Sequence, residues 1–324
     1  MLALVTGGQG FIGSHLCRRL AAEGHRVRVL ARPESRLDNL EGLAVETVRA
    51  DLDGDGGLAE AVAGADWVFH LAGALKGFRE ADLMRVNRDG TRRLVEACRA
   101  AAPGLARFLL VSSVAAGGPS PGGGRPRQED DPPRPVSWYG RSKLAAEREV
   151  LESRLPAVIL RPPVVFGPRD RDVLACFRLA RRGLLQVPGR GDRSFSFIYA
   201  PDLADGLLRA AQAPCPSGTV FHLTGPTLTW AEFSRRIAAV LGRTGRIVPL
   251  PEPLVRACGH CADLWARLRR RPGIFSSQKV LEMLAPGWVA SPDKAARMLG
   301  WTAPTELGRA LAATAAWYRD HGWI

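Results

Sequence analysis

An α/β protein built on a parallel sheet with helices on both faces is what this sequence predicts, on two observations. Short apolar runs alternate with amphipathic helical stretches through the first half, and a glycine-rich turn joins the first run to the first helix. The 324 residues suffice for a large core, and a hydrophobic share of 46% argues against disorder.

The runs "LALV" (2–5), "RVRVL" (26–30), "VETVRA" (45–50), "DWVFHL" (66–71), "RFLLVSS" (107–113) and "AVILRP" (157–162) have strand length. Between them Ile12–Glu23, Asn87–Ala101 and Trp138–Leu155 read as helices. The stretch "GGPSPGGGRPRQEDDPPRP" (117–135) holds too many Pro and Gly residues for helix or sheet and is expected to be an exposed, mobile loop, either a lid or a disordered insertion. Past residue 165 the pattern loosens to helices near 201–212, 230–241, 253–270, 292–299 and 305–320, with one strand, "TVFHLT" (219–224). Residues 1–165 are therefore expected to form the sheet domain, rejoined by strand 219–224. Residues 166–324 are expected to form a smaller, mainly helical substrate lobe over the carboxyl ends of the strands.

The turn "TGGQGFIG" places Gly7, Gly10 and Gly13, followed by Phe11 and Ile12, between strand and helix. Such glycines let the backbone approach a pyrophosphate seated on the helix N-terminus, which makes the sheet a Rossmann-type, doubly wound dinucleotide fold. At the end of the second strand, where an acidic residue would hold the ribose of NAD, "LARPESR" offers Arg32 and Arg36 instead. Two guanidiniums suit a 2′-phosphate, so NADP(H) is favoured and NAD(H) is the alternative. Only four of the 45 basic residues are lysines, yet one stands in "YGRSK", four residues after one of three tyrosines. Tyr139 and Lys143 share a helix face. The ammonium is expected to lower the phenol pKa and to hold the nicotinamide ribose.

The net charge of +13 comes from arginines spread along the whole chain without a recognition motif, which argues against nucleic acid and for an anionic ligand. The opening "MLALVTGG" lacks the features of a signal peptide, and no run of 18 apolar residues exists, so a cytoplasmic protein with reduced cysteines is expected. "CGHC" (258–261) lacks the context of a redox or zinc site and reads as two cysteines on a helix. The surrounding stretch 253–275, with a tryptophan and a run of arginines, reads as a helix packed on the core with its arginines solvated; capping an apolar substrate or lying against a membrane are the alternatives.

These motifs together resemble the extended short-chain dehydrogenases/reductases, the NAD-dependent epimerase/dehydratase family. The resemblance extends through "VFHLAG" (68–73), "VNRDGT" (86–91), "LLVSSVA" (109–115), "LRPPVVFGP" (160–168), "FIYAPDLA" (197–204) and "LGW" (299–301). It implies that Asp51 and Leu52 border the adenine and that Leu71, Ala72, Gly73, Pro162 and Val164 line the cofactor. It also implies that Ser113, Tyr139 and Lys143 are catalytic, Ser113 rather than Ser112 because it directly precedes the turn "VAAG". Asn87 either caps a helix or orders a water near Lys143, and family members commonly form homodimers through the helices corresponding to 87–101 and 138–155. Val114 and Ala115 stand where the family's sugar dehydratases carry an acid and a base, and Pro163 stands where many of its epimerases carry an asparagine. The resemblance thus points to the dihydroflavonol reductase and 3β-hydroxysteroid dehydrogenase side: a reductase interconverting a ketone and a secondary alcohol on a small hydrophobic substrate. An NAD-dependent sugar epimerase is the alternative, and a non-catalytic NADP-binding protein a second one.

Overall fold

A computed structural model describes residues 1–54, 56–121 and 124–324. Strands β1 (Leu2–Thr6), β2 (Arg26–Ala31), β3 (Val45–Arg49), β4 (Trp67–His70), β5 (Arg107–Val111) and β6 (Ala157–Leu160) form one parallel sheet. The alternation along β1 shows how the sheet is wound. Ala3 and Val5 enter one apolar cluster with helix α1 (Phe11–Ala22), while Leu4 enters the opposite cluster with residues of α2 (Leu58–Val62). Helix α3 (Glu80–Met84) runs through a π-helical turn, Arg85–Asp89, into α4 (Gly90–Ala101). A short α5 (Val114–Gly117) and the long α6 (Trp138–Glu152) follow β5.

The chain then makes β7 (Val164–Phe166), α7 (Leu174–Arg181), β8 (Leu184–Pro188), β9 (Ser194–Tyr199), α8 (Ala200–Gln212), β10 (Thr219–Phe221), β11 (Thr227–Thr229), α9 (Trp230–Val240) and β12 (Arg246–Leu250). It ends in helices α10 (Glu252–Leu268), α11 (Ser277–Met283), α12 (Asp293–Leu299) and α13 (Leu307–Asp320). Strand β10 pairs with β6, giving the seven-strand order β10-β6-β5-β4-β1-β2-β3. The order reverses between β1 and β4, and the crevice at their carboxyl ends is where open α/β sheets bind ligands.

Two expectations need correction. The second half contributes more than one strand: β7, β9 and β11 form a small mixed sheet, and β8 pairs with β12. These strands are three to six residues long, too short for their periodicity to separate them from loop. Helix α8 also packs on α1, and Trp301 packs against the middle of α8 with Nε1 donating to Asp205 at 3.1 Å, so the covering of the main sheet draws on residues well beyond 165.

The second correction concerns 117–135. Residues 114–117 are helical, and the later part of the stretch, largely exposed as expected, is tied down at Arg127 and Glu129 rather than left loose. Arg127 and Glu129 are buried. Arg127 N–H donates to Val289 O at 2.8 Å and its carbonyl accepts from Ser291 N–H at 2.9 Å, while its guanidinium donates to Pro119 O and Pro132 O. Glu129 accepts from His222 N–H at 2.8 Å. A Pro/Gly-rich segment cannot supply its own backbone ladder, but it can be tied down by groups elsewhere in the chain. Gly122 and Gly123, also part of that expectation, lie outside the described residues.

Candidate active site

The glycine turn has the shape a dinucleotide requires. Gly7 has φ +71°, and a β-carbon at Gly13 would stand 2.2 Å from Gly7 O. The first turn of α1 begins at Gly10 with no side-chain cap and no acidic residue, leaving its N–H groups to an anion. At the end of β1, Thr6 Oγ1 meets His70 Nδ1 of the neighbouring strand β4 at 2.7 Å and accepts from Ala72 N–H at 3.1 Å, fixing Leu71–Gly73 beside the turn. Asp51 caps Asp53 N–H, and Leu52 is buried. Arg32 and Arg36 stand exposed past β2, each paired with an acidic neighbour, Glu34 at 3.2 Å and Asp38 at 2.7 Å. Gln9 and Asn39 tie this arginine loop to the glycine turn through Gln9 Nε2 to Ser35 Oγ and Asn39 Nδ2 to Gln9 O. These residues fit a dinucleotide.

Ser112 and Ser113 close β5 with opposite fates. Ser112 is buried and donates to Glu147 Oε1 at 2.5 Å, and Glu147 in turn holds Arg161 through two bonds of 2.9 and 2.7 Å. Ser113 is partly exposed; its Oγ accepts from Ala115 N–H at 3.1 Å and lies alongside the Tyr139 hydroxyl. Tyr139 reaches this position because α6 approaches α5 closely: a β-carbon at Gly140 would stand 2.4 Å from Ala115 O. Ser137 caps α6 at Gly140 N–H. Lys143, 5% exposed, donates to Val111 O at 2.7 Å and lies beside Gly73, whose added β-carbon would be 3.8 Å from Nζ.

Burial shapes the electrostatics. It brings the Lys143 ammonium down to about 8, against a smaller upward pull from Glu147. It also pushes the Tyr139 phenol well above its ordinary range, reinforced by Glu282 and opposed by Ser113. The expected lowering of the phenol by Lys143 is therefore not what this arrangement gives. Desolvation dominates and holds the phenol in its protonated form at neutral pH.

Asn87 neither begins nor caps a helix. It sits in the π-helical turn, accepting from Ala74 N–H at 2.7 Å and donating to Ala74 O and Ser142 Oγ, so it joins the loop after β4 to α6. Pro162 and Val164 lie just past β6, with Pro162 O accepting from Val114 N–H. Three neighbours of the site were not singled out from the sequence: Glu147, Gly140 and Glu282. Glu147 was within reach, four residues past Lys143 on the same helix face; Glu282 comes from α11 and has no local signal. Cys258 and Cys261 lie on α10, exposed and free.

The NAD dependent epimerase/dehydratase family's sequence model matches residues 3–223, and the chain belongs to that family. Its relatives include a ceramide reductase of Caulobacter vibrioides, 35% identical over 99% of this chain and 95% of that one. Another is a 2-alkyl-3-oxoalkanoate reductase of Stenotrophomonas maltophilia, 30% identical over 96% and 97%. Among solved structures, gox2253 superposes with a TM-score of 0.84 at 29% identity, covering 100% of this chain and 99% of that one. MoeE5 in complex with UDP-glucuronic acid and NAD gives 0.77 at 27%, covering 99% and 100%. The protein is an NAD(P)-dependent oxidoreductase of the extended short-chain dehydrogenase/reductase type.

Proposed function

We propose that the protein reduces a ketone to a secondary alcohol on a lipid-like substrate, with NADPH as reductant and Ser113, Tyr139 and Lys143 as the catalytic set. The observation that carries this reading is the apolar company of Tyr139. Val114, Ala115, Val136, Val164 and Phe195 share one hydrophobic cluster with it, and Val114 and Ala115 stand where the family's sugar dehydratases carry an acid and a base. The names of the two relatives above, a ceramide reductase and a 2-alkyl-3-oxoalkanoate reductase, agree with a long-chain substrate.

The bound cofactor supplies a hydride to the carbonyl carbon. Ser113 donates a hydrogen bond to the carbonyl oxygen and fixes its position against the phenol. Tyr139, held protonated, delivers its proton to that oxygen as negative charge develops there. Lys143, charged below about pH 8, stabilises the phenolate left behind and holds ribose hydroxyls of the cofactor. The glycine turn and the start of α1 hold the pyrophosphate. Arg32 and Arg36 exchange their exposed partners, Glu34 and Asp38, for the 2′-phosphate. Surface pairs of that kind are worth only about 0–1 kcal/mol, so the exchange costs little.

The test is a fluorescence titration of the purified protein with NADPH and NADH, after its nucleotide content has been assayed, followed by turnover of a long-chain 3-oxo substrate. Exchangeable NADPH bound at least about tenfold more tightly, with turnover, supports the reductase. Tightly retained NAD⁺ would instead mean a hydride borrowed and returned within one cycle, the sugar-epimerase reading, with which the UDP-glucuronic acid and NAD bound to MoeE5 agree.

A further inference from the structure

Helix α10 is apolar on two faces, and only one of them has a partner. Val255 and Gly259 are buried, and a β-carbon at Gly259 would stand 2.8 Å from Val280 of α11. At about 100° per residue, Leu254, Cys258, Cys261, Leu264, Trp265 and Leu268 fall on the opposite side in a stripe about 120° wide. Leu264, Trp265 and Leu268 are 63%, 56% and 70% exposed. The next turn adds exposed Ile274 and Phe275, so half of the twelve large apolar side chains left exposed among the described residues lie between 254 and 275. Such a concentration marks an interaction surface.

Its chemistry selects the partner. Arg256 and Arg267 edge the stripe, and Arg269, Arg270 and Arg271 follow it, all exposed, with the Arg269 guanidinium 4.3 Å from the Trp265 ring centroid. Of the two carboxylates of the stretch, Glu252 pairs with Arg193 and, at 3.9 Å, with Arg256, while Asp263 accepts from Ser277 N–H, so Arg267, Arg269, Arg270 and Arg271 keep the arginine rim net positive. An apolar stripe rimmed by arginines and carrying a tryptophan matches the boundary between acyl chains and anionic headgroups. A second copy of this chain, at +13, would bring the same arginines against like charge. Among the described residues no helix is long and apolar enough to cross a membrane, so the contact is with the surface.

We propose that α10 and the turn 269–275 dock the protein on an anionic lipid bilayer. The surface lies close to the reaction site. On α11, which packs against α10, Gln278 Oε1 accepts from Trp138 N–H at 3.1 Å and Glu282 Oε1 accepts from Ser137 Oγ at 2.6 Å, and these two residues immediately precede Tyr139. A lipid-borne ketone could therefore pass from bilayer to site over a short path. Docking itself does not depend on which reaction the site performs.

The test is flotation of the full-length protein with phosphatidylcholine vesicles, with and without phosphatidylglycerol. Binding is expected with phosphatidylglycerol and is expected to fall with salt. Each arginine near such a surface is worth about fivefold in partitioning, so R269Q/R270Q/R271Q should weaken it about a hundredfold. W265D/L268D should weaken it at least about tenfold. Both variants should keep the thermal midpoint and the NADPH titration of the parent. Failure to float on either vesicle, or flotation that these variants leave unchanged, would overturn the proposal. So would a dimer in sedimentation velocity that W265D/L268D dissolves, because the stripe would then belong to a second copy.

Discussion

The adjacent serines closing β5 allow a sharp separation of structural from catalytic roles. In Ser112→Ala, Glu147 loses a buried charge-assisted hydrogen bond of 2.5 Å but keeps both bonds to Arg161. A bond to a charged group is worth about 1.5–3 kcal/mol, and at about 2 °C per kcal/mol for a chain of this size the melting temperature should fall about 3–6 °C. Turnover should stay within a few-fold, because Ser112 points away from Tyr139 into the Glu147–Arg161 pair. In Ser113→Ala the loss of the bond from Ala115 N–H to Oγ costs the cap of α5, about 1 kcal/mol. The loss of the donor to the substrate oxygen should cost about 10²-fold or more in kcat. Ser113→Thr keeps both the cap and the hydroxyl and should recover much of the rate. The assay is NADPH oxidation followed by absorbance, paired with thermal unfolding by circular dichroism. If Ser112→Ala abolishes turnover while Ser113→Ala leaves it intact, the assignment of the two serines is wrong.

Tyr139→Phe should leave the NADPH titration unchanged and lower turnover by about 10²-fold or more; retained turnover would take the phenol out of the mechanism. The pH profile of kcat/KM should lose its alkaline side near pH 8. Lys143 is charged below its lowered value and neutral above it, so the ammonium and its support of the phenolate vanish as pH rises. A profile flat to pH 10 would mean that this charge is not needed. Arg32→Ala should weaken NADPH at least about tenfold with little effect on NADH, and equal losses for both nucleotides would mean that Arg32 does not touch the 2′-phosphate.

What the sequence determined by itself was whatever rests on local spacing. Strands β1–β6 announced themselves as apolar runs between helical stretches, and strand 219–224 was placed back in the main sheet, where β10 pairs with β6. The glycine turn was legible because its spacing serves one backbone path, and Tyr139 and Lys143 because four residues make one helix face. The tertiary structure decided what depends on partners distant in the chain. Which of Ser112 and Ser113 is buried in an ion-pair network is decided by Glu147, 35 residues from Ser112. The Pro/Gly-rich stretch is held by Val289, Ser291 and His222, none of them near it in sequence. The direction in which Tyr139 shifts follows from its burial and from Glu282, and burial is a property of the packed chain rather than of any tetrapeptide. For the same reason α10 read as an ordinary packed helix: its sequence shows two apolar faces, and only the fold reveals that one was left without a partner.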